Sequence, residues 1–311
     1  LRMTSIVNPH ATIRDRAIDE NGEIIEEFMT ERVTDRLPRP VRSIKPHPHG
    51  LEIGALNRLL RDSTERRMSL FLRHTFSGVP MRAMKETLAH ADVDAAATPS
   101  EISPDEAQRI LNAFNTVRLM APPTDCLSPI EDLLIKKGLS KAVDSAFVAT
   151  VTRPPNVSLG NPFQVEVGLI FGRDDVPSDG AVDVLRFANR VPLMYQQGGC
   201  LLTKAIESVS WKGYGLEQPG GKGVPKGAAT ILVHLASTNV QFTSEAKEAV
   251  ADNEEVFNEI RLALQEVGRH LKNHRKKSAQ KAKAQEKFEL VNEILPAISK
   301  KASNLLGRDE P

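Results

Sequence analysis

Ala228-Ala-Thr-Ile-Leu-Val-His-Leu-Ala-Ser-Thr-Asn-Val-Gln-Phe-Thr-Ser-Glu-Ala-Lys-Glu-Ala249, with the helical run that follows it to Leu271, decides how this chain is built. Ile231, Leu232, Val233 and Leu235 form a short apolar run rich in β-branched residues, the mark of a buried strand. A polar loop with one cation, Lys247, comes next. Val250, Val256, Ile260, Leu264, Val267 and Leu271 then recur at helical steps, with some longer gaps. A lysine therefore stands where a sheet gives way to a long lever. By its position alone it reads as a solvated loop lysine.

Working outward, the chain has 311 residues, enough for about two domains. Aromatics are 5% and charged residues 26%, which fits a globular protein rather than a disordered one. The net charge is +1, so charge placement matters more than its sum. Cys126 and Cys200 are the only cysteines, too few for a disulfide framework or a cysteine zinc site. Reduced thiols fit a cytoplasmic protein. No apolar run approaches a membrane span, and no secretory signal opens the chain.

Residues 3–33 read as two strands around the turn Asp19-Glu-Asn-Gly22, with Met3–Val7 β-prone. Two strands alone are unstable, so a larger sheet is expected around them. Four prolines stiffen residues 37–50 into a linker. Residues 51–119 read as four helices: Ile53–Arg61, Thr64–Phe76, Val79–Ala91 and one begun by Ser103-Pro-Asp-Glu106. A second linker, 121–129, leads to a short helix expected to close at Gly138. Strands follow at 146–152, 162–171, 184–195 and 228–236, with a helix at 201–209, so a layered sheet with helices on one side is expected. Beyond Leu271 the last helix turns basic from Arg269 to Lys287, then apolar again through Phe288, Leu290, Val291, Ile294, Leu295 and Ile298. The fold class is α+β and multidomain. The expected divisions are 1–45, a helical domain 46–127, an α/β sheet with a long helix 128–275, and a basic-then-apolar tail 276–311.

Few motifs carry chemistry. Gln218-Pro-Gly-Gly-Lys-Gly223 lacks Walker spacing and reads as a flexible loop. His47 and His49 have no third metal ligand nearby, and Asp174, Asp175 and Asp179 lack calcium-loop spacing. Tyr195 and Tyr214 have no base close in sequence and read as core or interface residues. The basic run Arg269–Lys287 is balanced between phosphate contact and a solvated arm. Arg58, Arg61, Arg66, Arg67, Arg73, Arg82 and Lys85 give the helical domain a basic bias as well.

Several stretches carry a family resemblance. They are Asn8-Pro-His10 with Arg32, Thr34 and Leu37-Pro38; Lys45-Pro-His-Pro-His-Gly50; Ala121-Pro-Pro-Thr-Asp-Cys-Leu-Ser-Pro129; Asn161-Pro-Phe-Gln-Val-Glu-Val-Gly168; Phe187-Ala-Asn-Arg-Val-Pro-Leu-Met-Tyr195; Trp211-Lys-Gly-Tyr-Gly215; and Val233-His234 with Phe242-Thr-Ser-Glu-Ala-Lys247. In this order they resemble the B subunits of topoisomerase VI, the type IIB DNA topoisomerases, over nearly the whole chain.

The resemblance implies a layout. Residues 1–45 would be the last strands of a GHKL ATP-binding domain, as in gyrase and MutL. A helix-two-turns-helix domain and a transducer with a stalk helix would follow. It implies ATP and Mg2+ as cofactors, held mainly by boxes expected before Leu1, so that this stretch alone would be inactive. It implies that Lys247 reaches the ATP γ-phosphate as the one catalytic and nucleotide-binding residue here. The implied partners are a DNA-cleaving A subunit, a second B subunit in an A2B2 heterotetramer, and double-stranded DNA. Two other readings stand beside it: a non-enzymatic nucleic-acid-binding scaffold, and a MutL-like GHKL repair protein.

Overall fold

The computed structural model describes residues 1–142, 145–173 and 177–306. The chain opens with a helix, α1 (Arg2–Val7), not with a strand. β-Branched residues favour strands only where strand neighbours exist. Here Ile6 and Val7 are instead buried against another helix. β1 (Ile13–Ile18) and β2 (Ile24–Thr30) then form an antiparallel hairpin, separate from the main sheet. The Asp19 carboxylate accepts the Asn21 and Glu23 amides at 2.9 and 2.8 Å and closes the turn.

Extended chain leads to a single 3-10 turn, Pro48–Gly50, and then to four helices. These are α2 (Ile53–Arg61), α3 (Met68–Thr75), α4 (Met81–Ala91) and α5 (Pro104–Thr116). They bury a core of their own, in which Phe76 meets both Phe71 and Phe114 edge-on at 5.6 Å. α5 starts where Ser103 predicts. Its hydroxyl accepts the Glu106 amide, and the Glu106 carboxylate accepts the Ser103 amide in return.

α6 (Asp132–Ala142) runs through Gly138 rather than ending there. A Cβ on Gly138 would drive into the Ile6 carbonyl, so this glycine is a point of close approach for α1. The main sheet contains β3 (Phe147–Thr152), β4 (Asn156–Ser158), β5 (Asn161–Phe171), β6 (Asp183–Ala188), β7 (Val191–Pro192) and β8 (Ala229–Ser237). Its order is β3-β5-β8-β6-β7, with β4 paired to β5. The strand expected over 184–195 is broken at Asn189 and Arg190, which turn the chain back from β6 into β7.

β8 is buried along its whole length, antiparallel to β5 and parallel to β6. Helices cover both faces of the sheet, not one. Val165, Val167, Leu169, Ile231, Val233 and Leu235 point to α7 (Leu201–Ser208) and α8 (Glu254–Leu306). Ile170, Phe187 and Leu232 point to α1 and α6. α8 is 53 residues long. Val256, Ile260, Leu264, Val267 and Leu271 are buried, while Val250 precedes the helix and is buried beside α7. His274 still stacks on Phe147 of β3 and Arg275 lies over Phe171 of β5. Past Arg275 the helix stands clear of the sheet for about 45 Å, and residues 276–298 are exposed.

Candidate functional site

The Lys247 loop is built by its two ends. β8 delivers Ser237, and Phe242 then bridges Val250 in antiparallel fashion. The Thr243 amide donates to the Ala249 carbonyl and the Ala251 amide to the Gln241 carbonyl, both at 2.9 Å. The Val250 amide points at Cys200 Sγ (3.4 Å), and the Leu201 amide donates to the Val250 carbonyl (3.0 Å), so the base of the loop is pinned to the start of α7. At the tip, the Lys247 amide closes a turn onto the Ser244 carbonyl. Lys247 itself is left-handed, with φ +54°, a conformation that costs a non-glycine residue about 1 kcal/mol. Its side chain is exposed and has no ion pair or hydrogen bond among the described residues. The ammonium is thus presented outward on a loop whose base is rigid.

α8 begins directly after this loop. The Asn253 side chain accepts the Val256 amide at 3.0 Å, and Glu254 and Glu255 fill the first turn, where the helix dipole favours acids. Ser158 on β4 joins Asn253 (3.1 Å) and Glu255 (3.0 Å), tying the helix start to the sheet. Arg153 adds bridges to Glu259 at 3.0 Å and Glu266 at 3.5 Å.

Glu166 and His234 do not stand out as candidates in the sequence. They sit opposite each other on β5 and β8, both fully buried, with His234 Nδ1 2.8 Å from Glu166 Oε2. Glu166 also accepts the Ile130 amide (2.8 Å), the Glu131 amide (2.7 Å) and the Thr152 hydroxyl (2.8 Å). Burial alone pushes its carboxyl up, yet the hydrogen bonds and the His234 ring hold it below the ordinary range. His234 Nε2 accepts the Arg190 amide at 3.0 Å, which makes the ring the neutral Nδ1–H tautomer. Both ring nitrogens are engaged and buried, so the pair is structural and has no lone pair to offer a substrate. The signal for it in the sequence is a polar, ionisable residue within each of two apolar strands.

His47 and His49 do not form a metal site. His47 Nε2 meets the Met120 carbonyl at 3.0 Å and His49 Nε2 the Phe114 carbonyl at 3.1 Å, fastening the linker to α5 and the exit chain. Burial pushes the His47 imidazole down. Among the described residues no group of three His, Cys, Asp or Glu side chains is placed to hold a metal. Asp174 and Asp175 lie outside the described residues, and Asp179 is exposed in a turn.

The Gly-rich loop is folded around Gln218. Its side chain accepts the Trp211 amide (3.0 Å) and donates to the Val209 and Gly223 carbonyls at 3.1 and 2.8 Å. Tyr214 packs with Trp211 into the core, whereas Tyr195 is exposed. The cations of the Arg269–Lys287 run are exposed, and Arg275 also lies over the Phe171 ring and donates to the Gly215 carbonyl. No helix is long and apolar enough to cross a membrane among the described residues.

Residues 122–287 match the family model described as topoisomerase VI B subunit, transducer. The B subunit of type 2 DNA topoisomerase 6 from Methanococcoides burtonii is 45% identical over 311 residues, which is 100% of this chain and 49% of that protein. The corresponding B subunit from Archaeoglobus fulgidus is 45% identical over 309 residues, 99% of this chain and 50% of its own length. The chain spans about half the length of the curated relatives it matches. Among solved structures, the B-subunit of DNA gyrase from Myxococcus xanthus is 19% identical over 43% of this chain and 38% of its own, with a TM-score of 0.29, too slight to carry an argument.

Proposed function

The chain belongs to the topoisomerase VI B-subunit family, and on that premise we propose that it forms the helical and transducer part of an ATP-driven type IIB DNA topoisomerase. In this reading ATP, with Mg2+, is held mainly by a GHKL domain outside these residues. ATP supplies the phosphoryl transfer and the closing of two B subunits on each other. Lys247 supplies an ammonium to the γ-phosphate. β8 anchors the loop, and α8 carries the displacement toward a DNA-cleaving A subunit in an A2B2 assembly.

The observation that supports this reading is the single connected unit of a buried strand, a loop with an unpaired exposed lysine at its tip, and a helix capped at the loop's far end. An unpaired ammonium is free to meet an anionic oxygen as charge builds on it and to lose that partner when phosphate leaves. The test uses the full-length B subunit assembled with its A subunit. Lys247→Ala should melt like wild type, because the side chain is exposed, while ATP turnover falls by about a hundredfold. Unchanged turnover in that variant would sink the role of Lys247.

A second reading draws support from the exposed cations between Lys272 and Lys287. An arm of that kind can hold duplex DNA by phosphate contact alone. Gel-shift titrations at two salt concentrations test it, because each phosphate neutralised adds about 0.9 to the slope of log affinity against log salt. A salt-independent or absent shift removes it.

A further inference from the structure

Three separated segments meet at Arg190. Its guanidinium donates to the Val7 carbonyl at 2.8 Å and to the Pro129 carbonyl at 2.9 Å. Val7 ends α1, at the start of the chain, and Pro129 ends the linker that leaves the four-helix bundle. The Arg190 amide donates to His234 at the centre of the sheet. His234 is held in turn by Glu166, whose carboxylate accepts the amides of Ile130 and Glu131, the residues just after Pro129. One polar network, fully buried at Glu166 and His234 and half-buried at Arg190, therefore joins the N-terminal segment, the exit from the bundle, β5 and β8.

The backbone at this point is in an unfavourable conformation. Asn189 and Arg190 both have positive φ, +47° and +67°. A two-residue turn of this kind favours glycine at its second position, and a side chain there is tolerated only when its surroundings hold it. Asn189 earns its place locally, since it exchanges hydrogen bonds with the Ser237 backbone at 2.9 Å in both directions. Arg190 has no such local use: its side chain reaches away from the turn to two carbonyls distant in sequence. Burial lowers its affinity for the proton, while Glu166 and Glu131 oppose that. Nε is buried without a partner, so the geometry of the head group is set by the two carbonyls.

We infer that Arg190 is a positioning residue that clamps the N-terminal segment and the bundle exit to β8, so that movement of either is delivered to the strand feeding the Lys247 loop and α8. The inference rests on the function proposed above. It concerns how force enters the transducer sheet, not how nucleotide is recognised.

The decisive variant is Arg190→Gly. It relieves the left-handed strain, so the turn itself is not weakened, and it removes the clamp. In the full-length B subunit assembled with its A subunit, ATP turnover should stay within about twofold of wild type, while strand passage per ATP falls about tenfold. Amide exchange should quicken about tenfold for residues 1–10 and 129–135 and stay unchanged in β5 and β8. Arg190→Lys, which can reach one carbonyl but not both, should fall between the two. The inference is overturned if Arg190→Gly leaves both the coupling ratio and the exchange unchanged. It is equally overturned if exchange rises throughout the sheet, because Arg190 would then merely hold the fold. If the wild-type assembly performs no ATP-dependent strand passage, the proposed function fails, and the exchange measurement alone still decides the clamp.

Discussion

The ring of Tyr214 lies against the backbone of the stalk helix at Gly268. A Cβ built on that glycine would sit 2.5 Å from Tyr214 Cδ2. Gly268 is therefore the point where the Trp211–Tyr214 turn and α8 touch without a side chain between them. Trp211 anchors the turn from the other side, its indole N–H donating to the Ile206 carbonyl at 2.8 Å.

This contact sets up a reversal of sign. In a helix interior, alanine is favoured over glycine by about 1 kcal/mol. At Gly268 the ring must move, and overpacking of this kind costs about 1–3 kcal/mol. Gly268→Ala is expected to destabilise the protein with Tyr214 present and to stabilise it in a Tyr214→Ala background. Urea denaturation of the four proteins of the cycle measures both signs. The same sign in both backgrounds would mean that the contact carries no strain.

Gly138 follows the same logic with a backbone as the neighbour. Its substitution by alanine meets the Ile6 carbonyl, which cannot rotate away as a side chain can. α1 should lift from α6 and expose Ile6 and Val7, which are buried against it. The expected loss is about 2 kcal/mol despite the better helix propensity of alanine. Faster proteolysis between α1 and β1, together with a lower urea midpoint, is the expected result. An unchanged digestion pattern would refute it.

Gly138 also shows what the sequence could and could not reveal. A glycine near the end of an apolar helical run reads as a stop, because local pattern contains no information about a neighbour 132 positions away. Met3–Val7 misled for a related reason: Ile6 and Val7 suit a strand but are buried on a helix face that only tertiary packing supplies. The elements set by their own periodicity were legible. α2 spans Ile53–Arg61, and β8 lies one residue from its expected limits. In the candidate site, the position of Lys247 between a strand and a long helix is legible in the sequence, whereas the role proposed for it comes only from the family resemblance. The Glu166–His234–Arg190 network was hidden because its members lie 68 and 44 residues apart in their hydrogen-bonded pairs. A buried histidine in an apolar strand demands a partner, but sequence alone does not say which one.

That network predicts a pH dependence. The Glu166 carboxyl is held below its unfolded value, so the folded state binds the proton more weakly than the unfolded chain does. The stabilisation is present above the unfolded value near 4.5 and is lost as pH falls toward the lower folded value. Urea midpoints measured from pH 6 down to about pH 3 should fall for wild type. In Glu166→Gln the slope should flatten, and stability near neutrality should drop by about 3 kcal/mol, because the amide cannot accept from four donors. A variant with the wild-type slope would assign the acid sensitivity to other carboxyls.

The far end of α8 yields the remaining prediction. Phe288, Leu290, Val291, Ile294, Leu295 and Ile298 are all exposed, with Phe288 at 61% and Ile298 at 58%. Scattered exposed leucines need no explanation, but six large apolar residues within three turns of one helix form a stripe, and water is a poor neighbour for it. The sheet core ends at Leu271, so nothing within the described chain packs there. We propose that this stripe is the face on which α8 meets the A subunit in that assembly. Leu295→Asp should therefore leave the urea midpoint of the B subunit within about 0.5 kcal/mol of wild type, as expected for a surface change. Association with the A subunit, measured by calorimetry, should weaken by at least about tenfold, since an aspartate would be buried without a partner. Lys283→Glu, on the exposed basic run a few turns earlier, serves as the control: it alters charge but removes no apolar area. If Lys283→Glu weakens the complex while Leu295→Asp does not, the partner is held by the cations and the apolar stripe has another use.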